Sequence, residues 1–294
     1  MHPTPLVRIE LDPGEPVWCK LEYLNPSGST KDRVARHVLD HAIASGRLKP
    51  GDLVIEASSG STAIAFALAC AQRGLRFLAV MPEGVSNERL LMIRAFGGAV
   101  HSTVKAGGVS DAIAEAERLA IEQRAFAAGQ FSNPLNSEAH RNETAREALD
   151  QLPNIDAVVS GVGTGGTLMG LHAGIRERCP NVTPVYARPV DYLTSDPECC
   201  SFSARIPGVV DCASKLFREE DLPGLETVEV PAAEAIATAR RLIAKGFPVG
   251  PSSGLNFCAA AATVRKLGPD ARVLTVFPDR MEHPPRRGPA VLAA

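Results

Sequence analysis

The stretch Ile155-Asp156-Ala157-Val158-Val159-Ser160-Gly161-Val162-Gly163-Thr164-Gly165-Gly166-Thr167 joins an apolar run to a glycine-rich turn, and a helical pattern follows from Leu168 to Ile175. Strand, turn and helix in that order form the repeating unit of an α/β protein. The turn also has a chemical reading. Backbone N–H groups at such a junction, together with the positive end of the helix, suit a phosphate. Thr164 and Thr167 add hydroxyl donors, so the loop can hold an anion without a basic side chain. Two other readings stand beside this one. The glycines could simply make a tight turn. Gly161, Gly163 and Gly166 also satisfy the GxGxxG dinucleotide fingerprint. That fingerprint expects an acidic residue about 20 positions on, after the next strand. Asp191 falls late for that role, and Arg188 lies nearer the strand end.

Outward from this unit the alternation repeats along the chain. Strands are predicted over Val17 to Leu21, Leu53 to Ala57, Phe77 to Met81, Ala99 to Thr103, Ala157 to Val162, Val182 to Ala187 and Val273 to Phe277. Helices are predicted over Arg33 to Ser45, Thr62 to Gln72, Asn87 to Phe96, Ser110 to Glu122, Ser137 to Gln151, Ala232 to Lys245 and Leu255 to Leu267. The strands are near-continuous apolar runs, as expected for strands covered on both faces of a parallel sheet. The segment from Pro189 to Leu225 carries several prolines and little periodicity, and it reads as a long functional loop.

The 294 residues can fill one large domain or two smaller ones. A net charge of -2 offers no basic footprint for nucleic acid. No apolar run approaches the ~20 residues of a membrane span, and the first residues lack a signal-peptide pattern. The seven cysteines show no CxxC spacing and the histidines are scattered. A reduced, cytoplasmic protein without a metal site is the expectation.

A second segment bears the reactive chemistry: Asn25-Pro26-Ser27-Gly28-Ser29-Thr30-Lys31-Asp32-Arg33. One lysine ends a loop of glycine and small hydroxyl residues just before a helix. Small side chains leave room around the amine, which could form a Schiff base with a carbonyl. A solvated surface lysine is the plain alternative. A Walker loop is excluded, because Asp32 follows the lysine where Ser or Thr is required.

With these two segments, four short ones complete a pattern: Glu56-Ala57-Ser58-Ser59-Gly60-Ser61-Thr62-Ala63, Gln130-Phe131-Ser132-Asn133-Pro134, Ile206-Pro207-Gly208 and Gly250-Pro251-Ser252-Ser253-Gly254. Their content and order resemble the fold-type II pyridoxal-phosphate enzymes, specifically the cysteine synthase and cystathionine β-synthase family, from Pro5 to about Asp279. The resemblance implies two α/β domains with the cofactor between them. The larger would span 1–34 and 136–294, and the smaller, 35–135, would be inserted into it. It further implies that Lys31 binds pyridoxal 5'-phosphate covalently and then acts as the base at Cα. Gly163, Thr164, Gly165, Gly166 and Thr167 would hold the phosphate, Ser61 would face the ring oxygen, and Ser252 would meet the pyridine nitrogen. Ser58, Ser59, Gly60, Thr62, Gln130 and Gly208 would contact the substrate.

The implied reaction is β-replacement or β-elimination on L-cysteine or an activated serine such as O-acetylserine, through an aminoacrylate. A hydroxyl at Ser252 leaves the ring nitrogen nearly neutral, where aspartate would keep it protonated. That choice favours loss of a β leaving group over transamination. The competing local reading is that Ser252 caps a helix beginning near Gly254. The family's loop normally reads Thr-Ser-Gly-Asn-Thr-Gly; here Ser58, Ser61 and Ala63 replace its threonine, asparagine and last glycine. This version resembles a bacterial subgroup that includes cysteine desulfhydrases, so release of pyruvate, ammonia and sulfide is the alternative outcome. A nicotinamide-dependent oxidoreductase and a catalytically silent scaffold are the other classes considered. After the last strand the family usually continues with serine or aspartate and then Gly-Glu-Arg-Tyr; here Pro278-Asp279-Arg280-Met281-Glu282-His283 stands instead, and Asp279 or Arg280 would alter the contacts around Ser252. A homodimer is expected by default.

Overall fold

A computed structural model of the protein describes residues 2–58, 60–190, 206 and 214–281. Among these residues the strands are β1 (Leu6–Glu10), β2 (Pro16–Lys20), β3 (Leu53–Ala57), β4 (Arg76–Pro82), β5 (Ala99–Thr103), β6 (Phe126–Ala127), β7 (Ala157–Ser160), β8 (Thr183–Val190), β9 (Glu226–Pro231) and β10 (Val273–Val276). The α-helices are α1 (Lys31–Ala44), α2 (Ser61–Gln72), α3 (Asn87–Ala95), α4 (Gly108–Glu122), α5 (Leu135–Ala139), α6 (Ala145–Gln151), α7 (Gly166–Arg176), α8 (Ala232–Ala244) and α9 (Pro251–Leu267).

They build two sheets. One has the order β1-β2-β10-β7-β8-β9, and only the β1–β2 pair in it is antiparallel. The other, β5-β4-β3-β6, is parallel throughout. The apolar runs are explained by burial on both faces. In β7, Ala157 and Val159 enter one core with Val17, Leu255 and Val273, while Val158 enters a second with Leu168, Leu171 and Leu274. In β3, Val54 packs with Phe66 and Phe77, while Ile55 and Ala57 pack against α4 through Ala116 and Leu119. We propose that the smaller unit covers 35–135: Val38 and Leu39 of α1, and Leu135, share the core of the four-stranded sheet.

The sequence reading and the structure differ at several elements. β1, β6 and β9 carry no clean apolar run; β9 reads Glu-Thr-Val-Glu-Val-Pro and has only Val230 fully buried. The helix expected over Ser137 to Gln151 is α5 and α6 joined by a π-helical segment, His140–Thr144. α9 starts at Pro251 rather than near Gly254, with proline in its first turn, where the missing N–H costs nothing. The expected strand Ala157 to Val162 ends at Ser160. Much of the Pro189 to Leu225 loop lies outside the described residues.

The parallel strands deliver their loops to one place. β3 leads to Ser58 and Gly60, β6 to Gln130, β7 to Gly161–Thr167, and β10 to Pro278–Arg280. Ligands of open α/β sheets bind at such carboxyl ends.

Candidate active site

One pocket, with room for about 100 Å³, gathers these loops. Lys31, Ser58, Gly60, Ser61, Thr62, Gln130, Gly163, Thr164, Gly165, Thr167 and Ser252 all line it. Gly166 sits just behind as the first residue of α7. Ser59 and Gly208 lie outside the described residues.

Lys31 opens α1, and its loop is tied down on both sides. Ser27 donates to the Asp32 carboxylate through its hydroxyl at 2.6 Å and its N–H at 3.0 Å. Thr30 N–H donates to Pro278 O at 2.7 Å, and Gly28, at φ +90°, makes the turn that side-chain-bearing residues rarely adopt. Burial holds the Lys31 amine below its usual pKa, with Asp279 and Glu22 opposing by charge. An amine so placed gives up its proton more readily than one in water.

Behind it lies a buried ion cluster that sequence reading missed. Arg33 donates to Glu22 at 2.6 and 2.9 Å and to Glu147 at 2.7 Å. Lys20 reaches Glu147 at 2.7 Å and Thr4 Oγ1 at 2.5 Å. Lys20, Glu22 and Arg33 are fully buried. A charged residue two positions after a loop lysine was the available signal, but sequence gives no partner for it.

The glycine–threonine loop is shaped by close approach. Gly165, at φ +82°, is the N-cap of α7, and a Cβ there would come within 2.7 Å of Phe217 Cβ. At Gly166 a Cβ would lie 2.1 Å from Asn136 Oδ1. Asn136 donates to Gln130 O at 2.8 Å and to Thr164 Oγ1 at 3.0 Å, joining the phosphate-type loop to the β6 loop. Asn256 of α9 accepts from Gly161 N–H at 2.7 Å and donates to Val276 O at 2.9 Å, pinning the other end of the loop. His140 connects Thr144 and Thr167, at 3.1 and 3.3 Å. Burial, then the charges of Lys31, Arg33 and His37, hold His140 well below its ordinary pKa, so it is neutral. Neither asparagine stood out in the sequence, because an isolated asparagine in a helical pattern carries no spacing signal.

On the four-stranded side, the Ser58 hydroxyl accepts from Gly60 N–H at 3.1 Å and Ala63 N–H at 3.2 Å. Thr62 donates to Gln130 Oε1 at 2.6 Å, and Gln130 Nε2 donates to Ala57 O at 2.5 Å. Below them the fully buried Glu56 accepts from Gln130 N–H at 3.0 Å; burial pushes its pKa up to about 8. Ser252 donates to Asp279 at 2.8 Å, and Ser61 to the same carboxylate at 3.3 Å.

The arrangement offers an amine, an uncharged anion cradle at a helix N-terminus and hydroxyl groups across the pocket. The family description "Pyridoxal-phosphate dependent enzyme" matches residues 1–279. The chain belongs to the pyridoxal-phosphate dependent enzyme family. Its relatives include cysteine synthase B of Campylobacter jejuni, 36% identical over 95% of this chain and 93% of that protein. Among solved structures it is similar to a hydrogen sulfide-producing enzyme from Fusobacterium nucleatum, with a TM-score of 0.87, 34% identity and coverage of 94% and 85% of the two chains. It is also similar to an O-acetylserine dependent cystathionine beta-synthase from Helicobacter pylori, with a TM-score of 0.84, 31% identity and coverage of 95% and 93%. As a pyridoxal-phosphate enzyme of the fold-type II class, the chain uses that cofactor, and a nicotinamide role for the glycine loop falls away. The pocket fits the group: Gly163, Thr164, Gly165 and Thr167 line it at the N-terminus of α7, and that loop offers N–H and hydroxyl donors with no carboxylate to repel a phosphate.

Proposed function

We propose that this pyridoxal-phosphate enzyme catalyses β-replacement on an activated serine such as O-acetylserine, or on L-cysteine, with sulfide or another small nucleophile. The observation that carries the reading is the convergence of Lys31, the Gly163–Thr167 loop and the Ser252 hydroxyl on one pocket. The cofactor, when bound, supplies an electron sink for carbanion chemistry at the substrate's Cα.

The chain's own residues do the rest. Lys31 holds the cofactor and moves the Cα proton with an amine whose pKa burial has lowered. The start of α7 and the Thr164 and Thr167 hydroxyls bind the phosphate. Ser58, Gly60 and Thr62, around the N-terminus of α2, hold the substrate carboxylate with Gln130, and the resemblance adds Ser59 to them. Thr62 and Gln130 keep each other in register through their 2.6 Å bond. In this reading Ser61 serves the ring oxygen and Ser252 the ring nitrogen, and the role of Gly208 as a substrate contact stays as the resemblance implies it. We further take the enzyme to be a cytoplasmic homodimer. No helix among the described residues is long and apolar enough to cross a membrane, and two-fold homo-oligomers are the commonest assemblies.

A second reading has its own support. Ser61 stands where the family's loop carries asparagine, and its shorter side chain donates to Asp279 at the pocket wall. That change favours a cysteine desulfhydrase, and a sulfide-producing enzyme is among the structural relatives. Product analysis separates the two. Cysteine formed rapidly from O-acetylserine and sulfide supports the synthase; pyruvate, ammonia and sulfide released from cysteine alone support the desulfhydrase. Turnover of neither substrate refutes both.

A further inference from the structure

Asp279 occupies a position that the roles assigned so far do not use. Its backbone is gripped on both sides. It pairs with Ser29 in the loop before Lys31, its carbonyl accepts from Gly250 N–H at 3.3 Å, and the next residue, Arg280, donates to Gly28 O at 3.0 Å. The carboxylate is therefore delivered between the first turn of α9 and the first turn of α2. Oδ1 accepts from Ser252 at 2.8 Å and Oδ2 from Ser61 at 3.3 Å.

A serine hydroxyl has one proton and two lone pairs. The 2.8 Å contact to a carboxylate is the charge-assisted bond that claims that proton. With its proton directed at Asp279, Ser252 has only lone pairs to offer a group in the pocket. We propose that Asp279 is a positioning residue that fixes the Ser252 hydroxyl as an acceptor, so that the cofactor's ring nitrogen carries a proton and donates it to Ser252. The inference rests on the reading of Ser252 as the nitrogen's partner and revises one consequence of it. A serine alone leaves the nitrogen nearly neutral, whereas a serine backed by a carboxylate passes part of the effect of a direct aspartate through one intervening hydroxyl.

The groups facing Asp279 fit this arrangement. Burial raises its pKa above the ordinary carboxylate range, and the Ser252 bond, the charges of Lys31 and Arg89 and the Ser61 bond oppose that rise without cancelling it. These four neighbours favour the ionised form against burial, and an ionised Asp279 held 2.8 Å from Ser252 stabilises positive charge on the far side of that hydroxyl.

The test is ¹⁵N spectroscopy of the holoenzyme loaded with cofactor labelled at the ring nitrogen, followed over pH. The wild-type nitrogen is expected in the protonated range at neutral pH. Removing the negative charge, in Asp279→Asn and Asp279→Ala, should lower the pH at which it loses its proton by about one unit or more. Ser252→Ala should also move that titration. A wild-type nitrogen already unprotonated at neutral pH overturns the inference, and this result does not depend on any variant folding. Movement with Ser252→Ala but with neither Asp279 variant overturns it while leaving Ser252 as the nitrogen's partner. No movement with Ser252→Ala overturns the underlying assignment of Ser252 as well.

Discussion

Glu56 should make the enzyme less stable as pH rises through the neutral range, and a single amide substitution should remove that dependence. The residue is 2% exposed, at the end of β3 beneath the substrate-facing loop. Backbone N–H groups of Gln130, Ala57 and Gly129 favour its carboxylate, but burial outweighs them and pushes the pKa from 4.5 to about 8. In that interval the folded protein keeps a proton that the unfolded chain has released. Stability is thus full below the unfolded pKa and falls as pH rises toward the folded one, by about 1.4 kcal/mol per pH unit. Glu56→Gln keeps the shape and does not titrate. The stability of the variant minus that of the parent should therefore increase by about 4 kcal/mol between pH 5 and pH 8. Urea unfolding of both cofactor-saturated proteins at pH 5, 6, 7 and 8 measures this directly. Parallel stability profiles would show that Glu56 keeps an ordinary pKa in the fold, and that its contacts with the Gln130 loop, not its burial, set its charge.

Three further outcomes are expected. Borohydride reduction of the holoenzyme followed by peptide mapping should place the cofactor on Lys31; a label on any other lysine rejects its role. Arg33→Met leaves the buried Glu22 without its guanidinium and should cost about 3–5 kcal/mol in thermal or urea unfolding, the range for breaking a buried pair from one side; a loss under 1 kcal/mol would mean the cluster is held by Lys20 and Thr4 alone. Ser61→Asn breaks the bond to Asp279 and extends an amide into the pocket, so it should retain the cofactor but change turnover of cysteine and O-acetylserine severalfold, as expected for one hydrogen bond of about 0.5–1.5 kcal/mol. Identical rapid-mixing rates with both substrates would remove Ser61 from the chemistry.

The repeating strand–helix pattern was readable because a parallel sheet covered on both faces leaves near-continuous apolar runs, as in Leu53–Ala57, broken only by Glu56, and in residues 157–159. Edge strands escaped for the complementary reason. β9 alternates polar and apolar residues, and β6 is two residues long. At the site, glycine and hydroxyl clusters were legible because a backbone that must approach an anion closely excludes side chains over several consecutive positions. What stayed hidden is pairwise. Asn136, Asn256 and Glu56 matter through partners 28, 95 and 74 positions away, and one residue of a long-range pair has no periodicity of its own. Asp279 could be noticed within a segment that departs from the family ending, but only the fold places its two oxygens on Ser61 and Ser252.

The buried cluster explains how Lys31 can sit near Glu22, which after Asp279 is the lesser of the two carboxylates that oppose its lowered pKa, without being held protonated by it. A lone carboxylate beside Lys31 would hold the amine protonated, since opposite charges within a few ångströms favour both ionised forms. Glu22 is such a neighbour, and its charge does raise the Lys31 pKa. Yet both of its oxygens are taken by Arg33, at 2.6 and 2.9 Å, and Arg33 is satisfied in turn by Glu147. The field that reaches Lys31 from this side is that of a nearly compensated pair, which falls off faster than that of a single charge. Burial is then free to dominate and lower the amine's pKa, as it does here. The same guanidinium also clamps the first turn of α1 onto the segment after β2, so one side chain both fixes where the lysine stands and limits how tightly it holds its proton.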